Sequence, residues 1–403
     1  MRKHRLMGVA AAAAALALSI AGCGSSSTPT SSGSAAPANN LPSVPMAKSV
    51  GAGEGQLNII AWAGYAENGS TDKKVDWVTP FEKATGCQVN VKIGNTSDEM
   101  VTLMKTGQYD GVSASGDATL RLIYGGNVAP VNTSLVPNYA TVSTFLKDRP
   151  WNSVNGQMYG IPHGWGANVL MYNPAVVKPA PTSWGAVFDP KSPYKGKITA
   201  YDSPIYIADA ALYLMKTKPE LGIKDPYALD DKQFQAAVDL LKTQKSMLSN
   251  YWAAYTDEVS SFEQGSTVLG TAWQINANLI NADGKVKVDS ILPTEGATGW
   301  SDTWMIAANA PHPNCMYKWM DWIISPKVNA QVAEWFGEAP AQTKACTETV
   351  DKNFCTTFHA LDAAYANQIH YWTTPLAQCL DGRTDVTCKD YAAWTQAWTT
   401  IKG

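Results

Sequence analysis

From Leu57 onward the chain alternates short apolar runs with stretches of helical period. Residues 57–62, Leu-Asn-Ile-Ile-Ala-Trp, read as a buried first strand followed by Gly64. Val75, Val78 and Phe81 then recur at three-residue spacing, which predicts an amphipathic helix over 75–85 that Gly86 stops. A second strand is expected over 87–93 and a second helix over 97–106. Thr96 or Ser97 would be its N-cap, and Gly107 follows it. Residues 109–113 then lead into Ser115-Gly116-Asp117. Strand and helix in alternation are the signature of a parallel sheet, and α/β is the fold class that follows. Ligands of such sheets sit at the carboxyl ends of the strands. That is where Trp62, Ser115 and Asp117 fall.

Further on, Gly164-Trp165-Gly166 separates Ile161-Pro162 from the apolar run 169–172, as at a hinge crossing. Strands are expected at 195–201, which runs directly into Asp202, at 268–273, which ends in Trp273, and at 286–292. Helical periodicity marks 207–214, 233–241, 316–324 and 328–336. Between these lie Trp300 and Asp302, two positions apart, after a Gly-rich turn and before the apolar run 304–308. A ring face and a carboxylate so placed can both contact one organic ammonium group. The same local pattern also fits the start of a strand whose Trp is core and whose Asp caps a turn.

The N-terminus adds a compartment. Arg2, Lys3 and Arg5 precede the apolar stretch 6–20, which is too short to span a bilayer as a mature helix and reads as a signal peptide over 1–22. The small residues before Cys23 resemble a bacterial lipobox, which implies cleavage there and lipidation of Cys23. Residues 23–55 are mostly Ser, Thr, Pro, Ala, Gly and Asn, and are expected to form a flexible tether. Loss of Arg2, Lys3 and Arg5 takes the formal charge from −3 to −6, which argues against a nucleic-acid partner. The membrane is then reached through the lipid alone. Only Arg121, Arg149 and Arg383 remain as arginines, the usual clamp for carboxylate or phosphate ligands. Arg121 follows Asp117 by four residues, which suggests an intrahelical ion pair, or else a cleft-facing cation. Six further cysteines suit disulfides in an exported chain. Cys346 with Cys355 and Cys379 with Cys388 would close short loops, leaving Cys87 with Cys315. This is the most economical of fifteen pairings. Cysteine and histidine spacing suggests no metal site.

Several segments together resemble the spermidine/putrescine-type solute-binding proteins of ABC importers, over 57–374. They are 57–65, 81–86, Tyr109-Asp110, Ile161-Pro162, Trp165-Gly166, 181–184, 194–197 and 295–305, and the closest likeness is to a putrescine branch. The resemblance implies a two-lobed periplasmic-binding-protein fold of type II whose lobes are joined by hinge crossings. Lobe 1 would comprise 56–163 and 299–403, and lobe 2 would comprise 164–298. It places Trp62, Ser115, Asp202, Trp273, Trp300 and Asp302 at ligand-binding positions, with Trp165 lining the cleft or wedging the hinge. Asp117 and Glu338 stand where the family has Tyr and are further candidate ligand groups, or else solvated turn residues; Ala63 stands where it has Thr, and Ile205 where it has Glu. The expected ligand is a small amine, putrescine-like, handed by a monomeric binding protein to permease subunits driven by a separate ATPase. No cofactor is implied. A γ-aminobutyrate-like ω-amino acid is the alternative ligand.

An exported hydrolase or acyltransferase is the competing class. The chain has no Gly-x-Ser-x-Gly elbow, no His-Glu-x-x-His and no phosphate loop, so no catalytic residue is expected.

Overall fold

The computed structural model describes residues 41–403; the expected signal peptide, Cys23 and the first part of the tether lie outside them. One curled sheet organises the body. Its strands run in the order Gln88–Ile93, Gln56–Ala61, Gly111–Ala114, Ala297–Ile306, Ile161–Tyr172, Leu269–Trp273, Ile198–Tyr201 and Leu248–Trp252. The first three are parallel, as the strand–helix alternation predicts. Ala297–Ile306 and Ile161–Tyr172 lie antiparallel at the centre and join the two halves. Ile198–Tyr201 is parallel to both of its neighbours in the second half.

The apolar residues divide accordingly. One core gathers Leu57, Ile59, Phe81, Trp165, Trp304, Trp319 and Met320. Another gathers Leu170, Trp184, Phe188, Ile198, Leu241 and Leu269. The central strands serve both. Trp304 and Ile306 are in the first core, whereas Ala297 and Trp300 are in the second. The fold is therefore α/β and two-lobed, with its crossings made of strand.

The Gly-Trp-Gly segment does not interrupt the chain as a hinge between two ordered runs. It lies inside one twelve-residue strand, Ile161–Tyr172. Pro162 is tolerated there because the pairing with Ala297–Ile306 shifts register between Asp302 and Thr303. A bulge is one of the few places where a sheet interior accepts a residue with no N–H to donate.

Other expectations need adjustment. The first helix begins at Val78, the second is capped by the Thr96 side chain and ends at Met104, and the strand at 286–292 shortens to Asp289–Ile291. The described part of the expected tether is docked on the body, with Val44, Ala47 and Val50 packed on the first core. Glu54 fixes its end by accepting from the backbone N–H groups of Asn314 and Cys315 at the start of helix Pro313–Ile323. The C-terminal helix packs with the second core. Helix Tyr391–Lys402 buries Trp394, Trp398 and Ile401 in the second core and packs on helix Asp231–Lys245. Arg383 ties the preceding loop to Asp230, the N-cap of that helix, at 2.8 Å.

All three cysteine pairs form as the economical pairing has them: Cys87–Cys315, Cys346–Cys355 and Cys379–Cys388. The first spans 228 residues and joins the second strand's start to helix Pro313–Ile323. The other two each close loops of nine. Chain-entropy arguments give the long closure more weight. A Cys87→Ser, Cys315→Ser double variant should lose about 2–5 kcal/mol in denaturant unfolding, and more than the Cys346→Ser, Cys355→Ser variant.

Candidate functional site

A cavity of about 170 Å³ opens where the central strands meet the strand ends of both halves. Trp62 reaches it from the end of the first strand, and Ser115 from the start of helix Gly116–Tyr124. Trp273 comes from the end of Leu269–Trp273, and Trp300 with Asp302 from Ala297–Ile306. Five of the nine predicted site residues therefore line one space. Tyr201, Tyr255 and Phe336 complete an aromatic wall that motif reading did not single out. Trp300 stands edge-to-face with Trp273 at 6.4 Å and with Phe336 at 6.2 Å between ring centroids.

Alternation along the strand puts Trp300 and Asp302 on one face, opposite Gly166 and Gly164. Those glycines are explained by what a side chain would meet. A Cβ on Gly166 would come within 2.9 Å of the Trp300 ring, and one on Gly164 would overlap the Glu338 carboxylate. Trp165 points away into the first core, edge-on to Phe145. The Gly-Trp-Gly pattern thus makes room for the site on one face and fills the core on the other.

Asp302 is the one charged residue in the lining, and it is 3% exposed. Its Oδ1 accepts from the Ser115 hydroxyl at 2.5 Å, and its Oδ2 from the Tyr65 hydroxyl at 2.7 Å. Ser115 is the residue before its helix, yet its hydroxyl makes no cap and goes to Asp302 instead. Burial pushes the Asp302 carboxyl up to about 6; the Ser115 hydrogen bond and the facing His163 hold it down, while Glu338 adds to the rise. Trp273 is aimed by a buried chain. Its Nε1 donates to Asn168, Asn168 donates to Thr298, and Thr298 donates to Asp209, at 3.1, 2.7 and 2.9 Å.

The remaining four predicted residues lie off this cavity, although Trp165 and Glu338 border a smaller adjoining pocket that shares Trp273 and Trp300 with it. Asp117 is buried and accepts from the Ser97 hydroxyl at 2.9 Å, with burial raising its carboxyl to about 6. Trp165 is wholly buried, as above. Asp202 is held by Lys402 Nζ at 2.6 Å and by the Trp398 indole at 3.0 Å, both from the C-terminal helix. Glu338 is buried behind the site, where its Oε2 lies 2.8 Å from the Tyr65 hydroxyl oxygen and its Oε1 3.4 Å from His163 Nδ1. Arg121 neither pairs with Asp117 nor lines the cavity. It pairs with Asp98 at 2.6 Å and lies over the Tyr391 ring. Tyr65, the partner of both Asp302 and Glu338, was passed over although it lies in the first segment of the resemblance.

A two-lobed body with an aromatic, single-carboxylate cavity between its strand ends is the form of a solute-binding protein. The chain belongs to the bacterial extracellular solute-binding proteins, whose family pattern matches residues 76–354. It is similar to the spermidine/putrescine-binding periplasmic protein of Escherichia coli K12, 27% identical over 296 residues, 70% of this chain and 81% of that protein. The putrescine-binding periplasmic protein SpuD of Pseudomonas aeruginosa is 24% identical over 86% of this chain and 91% of its own length. Among solved structures, the spermidine/putrescine ABC transporter substrate-binding protein PotD of Streptococcus pneumoniae overlays with a TM-score of 0.65. It is 19% identical, covering 86% of this chain and 97% of that one, a likeness of fold. Proteins of this family are extracytoplasmic, bind small molecules for delivery to permeases, and are not enzymes.

Gly166→Ala tests how tightly the site is packed. It should cost roughly 1–3 kcal/mol of stability by displacing the Trp300 ring, and should change tryptophan fluorescence. An exposed Gly→Ala with ordinary backbone geometry should do neither.

Proposed function

We propose that this protein is the capture component of an ABC importer for a putrescine-like diamine, held in the cleft by Asp302. The observation that carries this reading is Asp302 itself, a buried carboxylate without a Lys or Arg partner among the described residues, set in a wall of aromatic rings. A buried carboxylate gains most from a cation that brings its own hydrogen bonds, and ring faces attract the same cation. Trp62, Ser115, Trp273 and Trp300 are the other proposed contacts. The names of the relatives support a polyamine. With Asp202 occupied by Lys402, the second ammonium is left to ring faces and to polar groups such as Asn95. An ω-amino acid has less support, because no cation lines the cavity and Arg121 is engaged elsewhere.

The lobes in this reading are 56–163 with the returning chain from 299, and 164–298 with the C-terminal helix, closing on the ligand as a monomer. Ligand that bridges the lobes stabilises the closed form, which docks on the permease. Lipid on Cys23 holds the protein at the outer face of the membrane.

Calorimetric titration with putrescine, spermidine and γ-aminobutyrate tests the assignment. Putrescine or spermidine should bind more tightly than γ-aminobutyrate, and Asp302→Asn should weaken the amines by about 2–5 kcal/mol. Tightest binding of the amino acid, or unchanged affinity in Asp302→Asn, contradicts it.

A further inference from the structure

Tyr65 presents one hydroxyl to two carboxylates. Its oxygen is 2.7 Å from Asp302 Oδ2 and 2.8 Å from Glu338 Oε2, and all three side chains are buried. A phenol has a single proton and donates it to one acceptor. The other oxygen pair is at hydrogen-bond distance too, so a second proton must lie there, on a carboxyl that donates to the phenol oxygen. Without it, two lone-pair oxygens would face each other in a medium that screens little.

The surroundings offer scant compensation. Ser115, from the start of its helix, is a neutral donor to Asp302. His163, from the central strand, sits edge-on to Tyr65 at 4.3 Å, with Nδ1 3.4 Å from Glu338 and Nε2 3.3 Å from the Ser113 hydroxyl of strand Gly111–Ala114, one strand beyond its neighbour. Tyr201 is a further titratable group nearby, and the charges of Asp117 and Asp302 both raise its phenol. No Lys or Arg among the described residues pairs with either carboxylate. Two adjacent buried carboxylates do not both ionise readily under these conditions.

We propose that Glu338 acts on the bound amine through Tyr65: the Asp302–Tyr65–Glu338 cluster keeps one carboxyl proton until an ammonium group reaches Asp302, and then releases it to solvent. Glu338 is a positioning residue that never touches the ligand. The charge balances, because the cluster goes from −1 to −2 as a cation of +1 enters, and the proton leaves through the cleft that Asp302 lines. The raised carboxyl of Asp302, at about 6, and the raised phenol of Tyr65 have burial as their largest cause and agree in direction. The sign is explicit. Below about pH 6 the cluster holds its proton and an incoming ammonium must displace it, so affinity falls as pH falls; above that it is gained. A receptor built this way captures less in an acidified exterior. The inference rests on the amine reading of the cleft and adds a proton to it.

Calorimetry of putrescine binding to the whole folded protein, near pH 6 in two buffers of different ionisation enthalpy, counts the protons directly. Wild type should release roughly half to one proton per ligand, and its affinity should drop towards tenfold per pH unit below about pH 6. In Glu338→Gln the phenol proton belongs to Asp302 alone and the neighbouring negative charge is gone, so release and the pH slope should both be smaller than in wild type. Binding of putrescine to wild type with no buffer dependence overturns the proposal, and so does undiminished release in a folded Glu338→Gln. If Glu338→Gln does not fold, Glu338→Leu takes its place, and undiminished release in it overturns the proposal. Failure of wild type to bind any diamine at pH 8 removes the amine reading, and this proposal with it.

Discussion

A carboxylate shut away from water must be compensated, and Asp302 is where this protein concentrates that requirement. Its oxygens are met by two neutral hydroxyls and its outer face by aromatic rings. The details of the central strands follow from it. Gly164 and Gly166 are bare because the Glu338 carboxylate and the Trp300 ring take the space beside them. The register shift after Asp302 lets Pro162 sit in the sheet opposite Thr303. Ser115 gives up a helix cap to serve the carboxylate. Such features weaken an apo protein locally and are sensible where a cationic ligand restores the balance.

The second consequence concerns charge at a distance from Asp302. An amine site with several free carboxylates would bind any polycation. Here Asp202 is closed by Lys402, Asp117 is turned to Ser97, and Glu338 is buried behind Tyr65. One carboxylate is left facing the cavity. The C-terminal helix therefore does more than complete the second core, because it sets the electrostatic pattern around the cleft. The long disulfide acts elsewhere, tying the second strand to a helix that arrives 228 residues later and holding the first lobe together.

Much of the first lobe was legible because each strand and helix there carries its own period and its own stop. Residues 57–62, 97–106 and 109–113 are examples, all recovered within a few positions. Trp300 and Asp302 were legible as a pair because alternation puts positions two apart on one strand face. What stayed hidden was tertiary. Pro and Gly at 162–166 carry the local chemistry of a break, and only a partner strand with a bulge turns them into continuous sheet. Asp202 looked like a strand-end ligand because nothing in its neighbourhood announces Lys402, two hundred residues away. Asp117 and Glu338 were readable as acids but not as buried ones, and Tyr65 was readable as an aromatic but not as the hydroxyl placed between two carboxylates. The terminal helix did show its spacing in Tyr391, Trp394, Trp398 and Ile401, which sequence reading left unused.

The central claim is that the cleft takes an organic ammonium group at Asp302 against the Trp300 ring. A crystal structure with putrescine bound tests it most directly. The account predicts one ammonium nitrogen within hydrogen-bond reach of the Asp302 carboxylate, with the aliphatic chain lying along the rings of Trp300 and Trp273. Ligand density away from Asp302, or a ligand carboxylate in its place, would contradict it.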